Sequence, residues 1–422
     1  MTTVDLPGRR VAAPPPVLPD EVRRRVASRL TGVFSSNRVA GLGFVRRHLP
    51  LLRVGRSLVV VTRREDVDEV LDDTETFVFP YAHHLPGPFL LGSGPVEHTR
   101  QRTEIDAVLS CGDAEPLRRL VGAAAEERVE RARRTGRMEV VRELVQPVFD
   151  VVLDDYVGCP VPDPETRLQW GRDLFEHIFL NRAEMRSVAE RAEVAWRQWD
   201  AHLAAQIDAI RQTPEGPDTL LRRLVERQRP GSGTGLDDAE IRGNVIGMAI
   251  GWLWHGERAA VLGLDDLLRR PQALESARRA AREGDLGELR RLLWEVYRFR
   301  PVQPRVARRC TADTTLAEGT PRARPVPRGA RVFVGTHSAM WHGTAVPDPE
   351  DFDATRAAAQ YQVFGGGPHR CPGEHVMGVQ LPALLAPLLR SDELRRSPGL
   401  AGRTRWEGLF PGRLEVELGR RS

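Results

Sequence analysis

Apolar positions recur with a helical period over most of the chain. From residue 114 to about 230 the pattern is almost wholly helical, broken at CPVPDP (159–164) and TPEGPD (213–218), where proline and glycine interrupt it. Upstream, RVGRSLVVVT (53–62) is dense in β-branched residues with Gly and Ser between them, which predicts strand and turn. REDVDEVLDD then places Val67, Val70 and Leu71 on one helical face. Residues 235–271 contain no proline before Pro271; Asp237 or Asp238 can cap the start and Pro271 closes the run. Apolar in its middle and polar at both ends, this segment predicts a long helix through the interior. A shorter helix, GELRRLLWEVYRFRP (287–301), ends at a proline. Residues 302–338 turn strand-like, with VPRGARVFVGT as the clearest hairpin arm, and a last helix is predicted from about Gly373 to Arg390. The predicted fold is mostly α, with a minor β region split between the N-terminal part and residues 302–338. The proline-rich residues 1–19 are expected to form a tail. No composition shift follows, so residues 20–422 are expected to be a single domain.

Composition narrows the function classes. The chain is 41% apolar and 28% charged, with a net charge of +4. All 62 basic residues are arginine, spread evenly and nearly balanced by 58 acids. That reads as a solvated surface, so nucleic acid is not an expected partner. Four cysteines, Cys111, Cys159, Cys310 and Cys371, lie far apart with no CxxC pair. This is no disulfide framework, and a reducing cytoplasm is the expected location. Neither a signal-peptide core nor a run of about 18 apolar residues is present, so a soluble protein without a membrane span is expected. We expect a monomer.

FGGGPHRCPGEH (364–375) carries the candidate chemistry. Gly365, Gly366 and Gly367 permit positive φ and close backbone approach. Cys371 stands at the mouth of the last predicted helix, where the dipole and unpaired N–H groups favour a thiolate and so a lowered pKa. A buried structural cysteine is one reading, though it would not need three glycines. His369, Cys371 and His375 form an H-x-C-x3-H cluster, but three ligands at that spacing make an unusual zinc site. Thiolate ligation of haem iron is the third reading, with glycines letting the loop lie flat against a porphyrin.

At these residues the sequence resembles the cytochrome P450 family, whose F-x-x-G-x-x-x-C-x-G signature is met by Phe364, Gly367, Cys371 and Gly373. An independent match, E-x-x-R, is met by Glu295 and Arg298, on one helical face just before FRP. The resemblance spans roughly residues 40–415. It implies a triangular helical prism around a buried haem b (Fe-protoporphyrin IX) with Cys371 as the iron's proximal ligand. It also implies that Glu295 and Arg298 lock structurally to Arg356 in DFDATR. His98 and Arg102 of EHTRQR, Arg308 (with Arg305 a close competitor) and His369 match the family's propionate contacts. PYAHHLPGPFLLGSG (80–94) falls where the family has a substrate-contacting loop, while Leu180–Glu184 and Trp196–Trp199 fall in its lid helices.

The distal side departs from the family. Where the central helix usually reads A/G-G-x-D/E-T, aligning its close at LLRRP (267–271) puts GWLWHG (251–256). Gly251 opens that stretch, Trp254 replaces the acid and His255 the alcohol; a one-residue slip would bring Glu257 and Arg258 into the same groove. Indole holds no proton to give, whereas a histidine can carry one near neutrality. Three outcomes follow: proton delivery by His255, a substrate-assisted oxidation, or direct use of hydrogen peroxide. Trp254 is expected to shape the pocket, and His255 as a sixth iron ligand is a further option. The resemblance implies an O2-using oxidase fed by ferredoxin and ferredoxin reductase, tailoring a small-molecule or peptide natural product. The alternatives are a peroxide-driven peroxygenase or decarboxylase and a haem-binding sensor without turnover.

Overall fold

The computed structural model describes His48 and residues 50–419, apart from 55–56, 81, 85, 110, 182–183, 214 and 229–234. The expected tail at 1–19 lies outside the described residues. Among the described residues, ten α-helices of nine residues or more build the body: α1 (Arg64–Asp72), α2 (Pro95–Val108), α3 (Ala114–Arg133), α4 (Pro164–Phe175), α5 (Arg186–Gln212), α6 (Asp238–Gly251), α7 (Glu257–Leu267), α8 (Pro271–Glu283), α9 (Leu286–Phe299) and α10 (Glu374–Leu389). In α1 the expected face, Val67, Val70 and Leu71, is buried. Buried apolar side chains form one large core among the helices and a smaller one beneath the main sheet.

That sheet has five strands, β1 (Leu51–Val54), β2 (Leu58–Val61), β3 (Phe77–Val78), β5 (Val306–Cys310) and β8 (Arg331–Val334), in the order β1-β2-β8-β5-β3. It unites the two predicted β segments, because β2 pairs in parallel with β8. Strands β6 (Thr314–Leu316) and β7 (Arg324–Val326) form a hairpin. Two further sheets were not anticipated. β4 (Arg137–Glu139) interrupts the segment predicted as helical and joins β9 (Arg395–Arg396) and β12 (Glu415–Glu417), while β10 (Arg405–Glu407) pairs with β11 (Phe410–Arg413). Strands of two to four residues are too short to show a period-two pattern.

The long central helix also differs from expectation. Asp237 caps it through a reciprocal capping box with Glu240. It then widens to a π-turn over Trp252–Gly256 before α7, and it ends at Leu267. Pro271 opens α8 at its first turn instead of closing the central helix, as a residue without an N–H can. In the last turn of α7, Asp265 accepts hydrogen bonds from Thr404, Arg300 and Arg396. Burial alone would raise its pKa, but these donors hold it below the usual carboxylate range. This cluster ties the end of the central helix to the C-terminal strands.

Glu295 and Arg298 of α9 are both fully buried, with Arg298 donating to both carboxylate oxygens at 2.8 and 3.0 Å. Arg356 approaches the same carboxylate at 3.4 Å, and the Asp353 N–H and Tyr361 hydroxyl donate to it at 2.9 and 3.0 Å. Arg298 also donates to the carbonyls of Pro349 and Asp351 at 2.7 and 2.8 Å. Removing one member leaves a buried charge without its counterion. Glu295→Ala should therefore lower stability by ~3–5 kcal/mol, read by chemical denaturation, while a Glu295→Leu/Arg298→Leu double variant should lose less than the two single losses summed.

Candidate active site

The loop before α10 is fixed by backbone geometry. Gly365 and Gly367 adopt φ of +77° and +63°, which side-chain-bearing residues rarely enter. A Cβ on Gly367 would lie 2.2 Å from the Leu71 carbonyl oxygen of α1. The closest demand on this glycine therefore comes from protein backbone, a reason the sequence alone does not reveal. Gln362 donates to Asp68 of α1, the Cys371 N–H donates to the Phe364 carbonyl at 3.0 Å, and Phe364 packs on Trp294 of α9.

Cys371 is exposed on one side although it lies deep within the protein. Its thiol pKa is raised, contrary to the sequence expectation. Burial is the largest influence, and the Gly373 N–H, Arg102 and Arg370 only partly oppose it. Gly373 is the N-cap of α10, so Cys371 sits two residues outside the helix, where the dipole has weakened. A bound metal cation would deprotonate such a thiol outright. Among the described residues no three His, Cys, Asp or Glu side chains converge as a metal site, so His369, Cys371 and His375 do not form the zinc cluster.

Around the loop lies a group of cationic and imidazole side chains. His98 of α2 and His369 pack with ring centroids 3.9 Å apart. Burial lowers the pKa of His98, with Arg102 and Arg308 adding to it; burial, His98, Arg308 and Arg102 push His369 down to about 3. Arg308 on β5 is buried, donates to the Ala307 carbonyl at 3.0 Å, and forms no ion pair among the described residues. Burial pulls its guanidinium down to about 10. Arg102 is placed differently from expectation: it pairs with Asp106 and donates to the carbonyls of Arg370 and Pro368 at 2.7 and 3.3 Å, bracing the cysteine loop. Arg305 lies over the Phe333 ring, 4.8 Å from its centroid.

The central helix lines the opposite side. A Cβ on Gly251 would meet no atom within 4 Å, so this position faces open space. Trp254 is buried against Phe410, with centroids 4.0 Å apart, under the Arg172 guanidinium. Its indole nitrogen has no hydrogen-bond partner among the described residues. His255 lies edge-on to Phe175 at 5.4 Å and Phe179 at 6.1 Å. Burial, assisted by Arg258, pushes its pKa down to about 4, so near neutrality it is an uncharged imidazole and no reservoir of ionised protons. Glu257, fully buried on the other face, is pushed up to about 8 by burial; Gln146 opposes the shift weakly and Asp150 adds to it. In the loop at 80–94, His84 is buried and stacks on His177 at 4.8 Å, and the lid residue Trp199 is buried with its N–H on Cys159 at 3.1 Å. Phe175, Phe179 and Phe410 escaped the sequence reading, since nothing in their local spacing marks them as neighbours of His255 or Trp254.

A family model described as "Cytochrome P450" matches residues 284–402. The chain is 28% identical over 356 residues to cytochrome P450-SU2 of Streptomyces griseolus, covering 80% of each. Both of these matches are to cytochrome P450s. The chain is likewise 28% identical to the erythromycin C-12 hydroxylase of Saccharopolyspora erythraea, over 79% of this chain and 81% of that one. Among solved structures, P450BioI in complex with a fatty-acyl-ligated acyl carrier protein superposes with a TM-score of 0.79 at 19% identity, covering 92% of this chain and all of that one. P450 EryK, solved as a mutant with erythromycin B, gives 0.76 at 23%, covering 94% and 99%. The fold is thus the P450 fold and the chain a P450-type oxidoreductase, with no helix among the described residues long and apolar enough to cross a membrane.

The cysteine side fits the family's haem iron. A sulfur lies open at depth, and a buried arginine without an acid partner among the described residues stands beside two imidazoles whose protonation is suppressed first by burial and further by positive neighbours. An anionic group would relieve that repulsion. Gly367→Ala should strain φ and force the loop off α1, lowering haem retention after gel filtration and stability by at least ~2 kcal/mol. Glu257 binds a proton in the folded state between pH 4.5 and about 8 that the unfolded chain releases, so stability falls as pH rises through that window. Glu257→Gln should abolish this component: its melting temperature should gain on wild type progressively from about pH 5 to about pH 8.

Proposed function

We propose that the protein is a haem-thiolate oxidase that tailors a small-molecule or peptide natural product, with haem b held through Cys371. The observation that carries this reading is the exposed, loop-braced cysteine beside a buried, acid-free Arg308. In this reading Cys371 ligates the iron, while Arg308, His98 and His369 face the propionates. Arg102 braces the loop carbonyls, and Phe364 and Gly373 frame the cysteine. The bound group would supply activation of O2 or peroxide through thiolate donation. Relatives named as hydroxylases and epoxidases, among them the mycinamicin IV hydroxylase/epoxidase of Micromonospora griseorubida, support the tailoring assignment. Ferredoxin and its reductase are the proposed electron source. Glu295, Arg298 and Arg356 act as the structural lock beneath the cysteine loop.

Proton handling on the distal side rests on neutral groups. Gly251 leaves room beside the helix, Trp254 closes the wall against Phe410, and His255 offers an uncharged imidazole that can pass a proton only by taking one up as it gives one. That favours protons from the substrate or solvent over a charged histidine store. The same observation supports a second reading, peroxide-driven oxidation, because peroxide already carries the two protons that O2 must acquire.

The haem-loaded protein, reduced under CO, should give the absorption of a thiolate-ligated haem, and Cys371→Ser should lose it; a wild-type spectrum without the thiolate band would refute the assignment. Turnover driven by ferredoxin and reductase should exceed turnover with peroxide, and the reverse order would favour the second reading. Because His255 stays neutral in the fold, the unfolded chain binds the extra proton, and stability is lost as pH falls from 6.5 toward about 4. His255→Phe should reduce that acid sensitivity in thermal melts, and an unchanged pH dependence would contradict the neutral imidazole.

A further inference from the structure

Solvent accessibility along the central helix follows a single stripe. Between Gly247 and Leu267 only Gly247, Met248, Gly251, His255 and Arg258 are accessible; every other residue there is buried. Positions 251, 255 and 258 follow one another at steps of four and three residues across the π-turn at Trp252–Gly256. Gly251 faces open space and His255 stands among the Phe175 and Phe179 rings, so this stripe borders an internal opening. Arg258 ends it, because Ala259–Leu267 are buried without exception.

Arg258 is unusual for a chain in which most interior arginines meet carboxylates. Its Nε donates to the Val302 carbonyl at 2.9 Å and its Nη1 to the Leu409 carbonyl at 2.7 Å. The guanidinium lies 4.9 Å from the Trp406 ring centroid. Among the described residues it forms no ion pair and no other hydrogen bond, leaving its Nη2 donors without a partner. Val302 and Leu409, whose carbonyls grip Arg258, are themselves partly accessible. The neighbouring Glu257 does not neutralise it: that side chain sits on the opposite face, near Gln146 and Asp150. Arg300 is a further cation close enough to repel it. A half-buried guanidinium with donors to spare and no counter-charge among the described residues is a site for an anion.

We propose that Arg258 anchors a carboxylate of the substrate, at the end of the pocket stripe that begins at Gly247. The proposal deepens the oxidase reading and rests on it: the substrate class is a small organic acid or a carboxylate-bearing natural product. The carbonyls of Val302 and Leu409 hold the guanidinium in place and orient its remaining donors, and Trp406 covers one face. Arg258 is thus a specificity-determining residue that touches substrate without entering the chemistry.

The test uses the full-length, haem-loaded protein and matched pairs of probes: aliphatic and aryl-alkyl carboxylic acids against their methyl esters. Binding is followed by the haem absorption change and, independently of the haem spectrum, by calorimetry. Wild type should bind acids at least ~10-fold more tightly than the esters, as expected for a charge-assisted contact. In Arg258→Gln that ratio should collapse towards one, with ester affinity changed less than about twofold. Arg258→Lys should keep a reduced preference for acids. Should Arg258→Gln fail to retain haem, the lysine variant decides: weaker acid binding with unchanged ester binding supports the anchor, and unchanged acid binding overturns it. A wild-type ratio near one, or a ratio that survives in Arg258→Gln, also overturns it. A normal thiolate spectrum alongside either negative result would refute the anchor alone, whereas a wild-type protein without that spectrum would refute the oxidase reading.

Discussion

Two charges with no access to water, Glu295 and Arg298, set the condition that the rest of the molecule meets. Neither can be left alone at that depth, and each has more hydrogen-bonding capacity than the other can use. The surplus is taken up by Arg356, Asp353, Tyr361 and the carbonyls of Pro349 and Asp351. A stretch of chain with almost no regular structure, residues 347–361, is thereby given one conformation. That stretch leads directly into Phe364 and the cysteine loop, so the position of a reactive sulfur is inherited from an ion pair that never touches it.

The opposite wall is built on another principle. From Gly247 to Leu267 the central helix carries a single accessible stripe, to which the π-turn at Trp252–Gly256 contributes His255. Wider turns of this kind occur often at functional sites. Trp252, at the start of that turn, donates to Gln380 of α10 at 2.7 Å. The helix that lines the pocket and the helix that follows Cys371 are therefore joined by a buried hydrogen bond. One wall is ionic and fixed by charge satisfaction, and the other is aromatic and fixed by packing.

Much of this was legible in the sequence, and the reasons are specific. The cysteine loop and E-x-x-R could be read because their chemistry needs fixed residue types at short, fixed spacings. The cap at Asp237 and the buried face of α1 follow from local rules that operate within a few residues. The three-glycine loop was legible in position but not in cause, since its tightest neighbour, Leu71, belongs to a remote helix. Arg102 carried the right charge at the right place, yet its partners turned out to be loop carbonyls and Asp106. The protonation states of Cys371 and His255 ran against expectation because burial, a tertiary property, outweighs the local helix start and the ordinary imidazole value. The short C-terminal strands were missed for want of length.

The contact between the cysteine loop and α1 also bears on the order of assembly. Gln362 and Asp68 are 294 residues apart in sequence, and Gly367 nestles on Leu71 three residues beyond Asp68. During synthesis α1 emerges before the loop, so the two can meet only when the stretch between Asp68 and Gln362 has been made. Until then the loop lacks the surface that fixes its left-handed turns. Closing such a distant contact costs little more entropy than closing a medium-range one, but it comes late. A cofactor bound through this cysteine is therefore received only after that long intervening stretch has been made and can fold between the two.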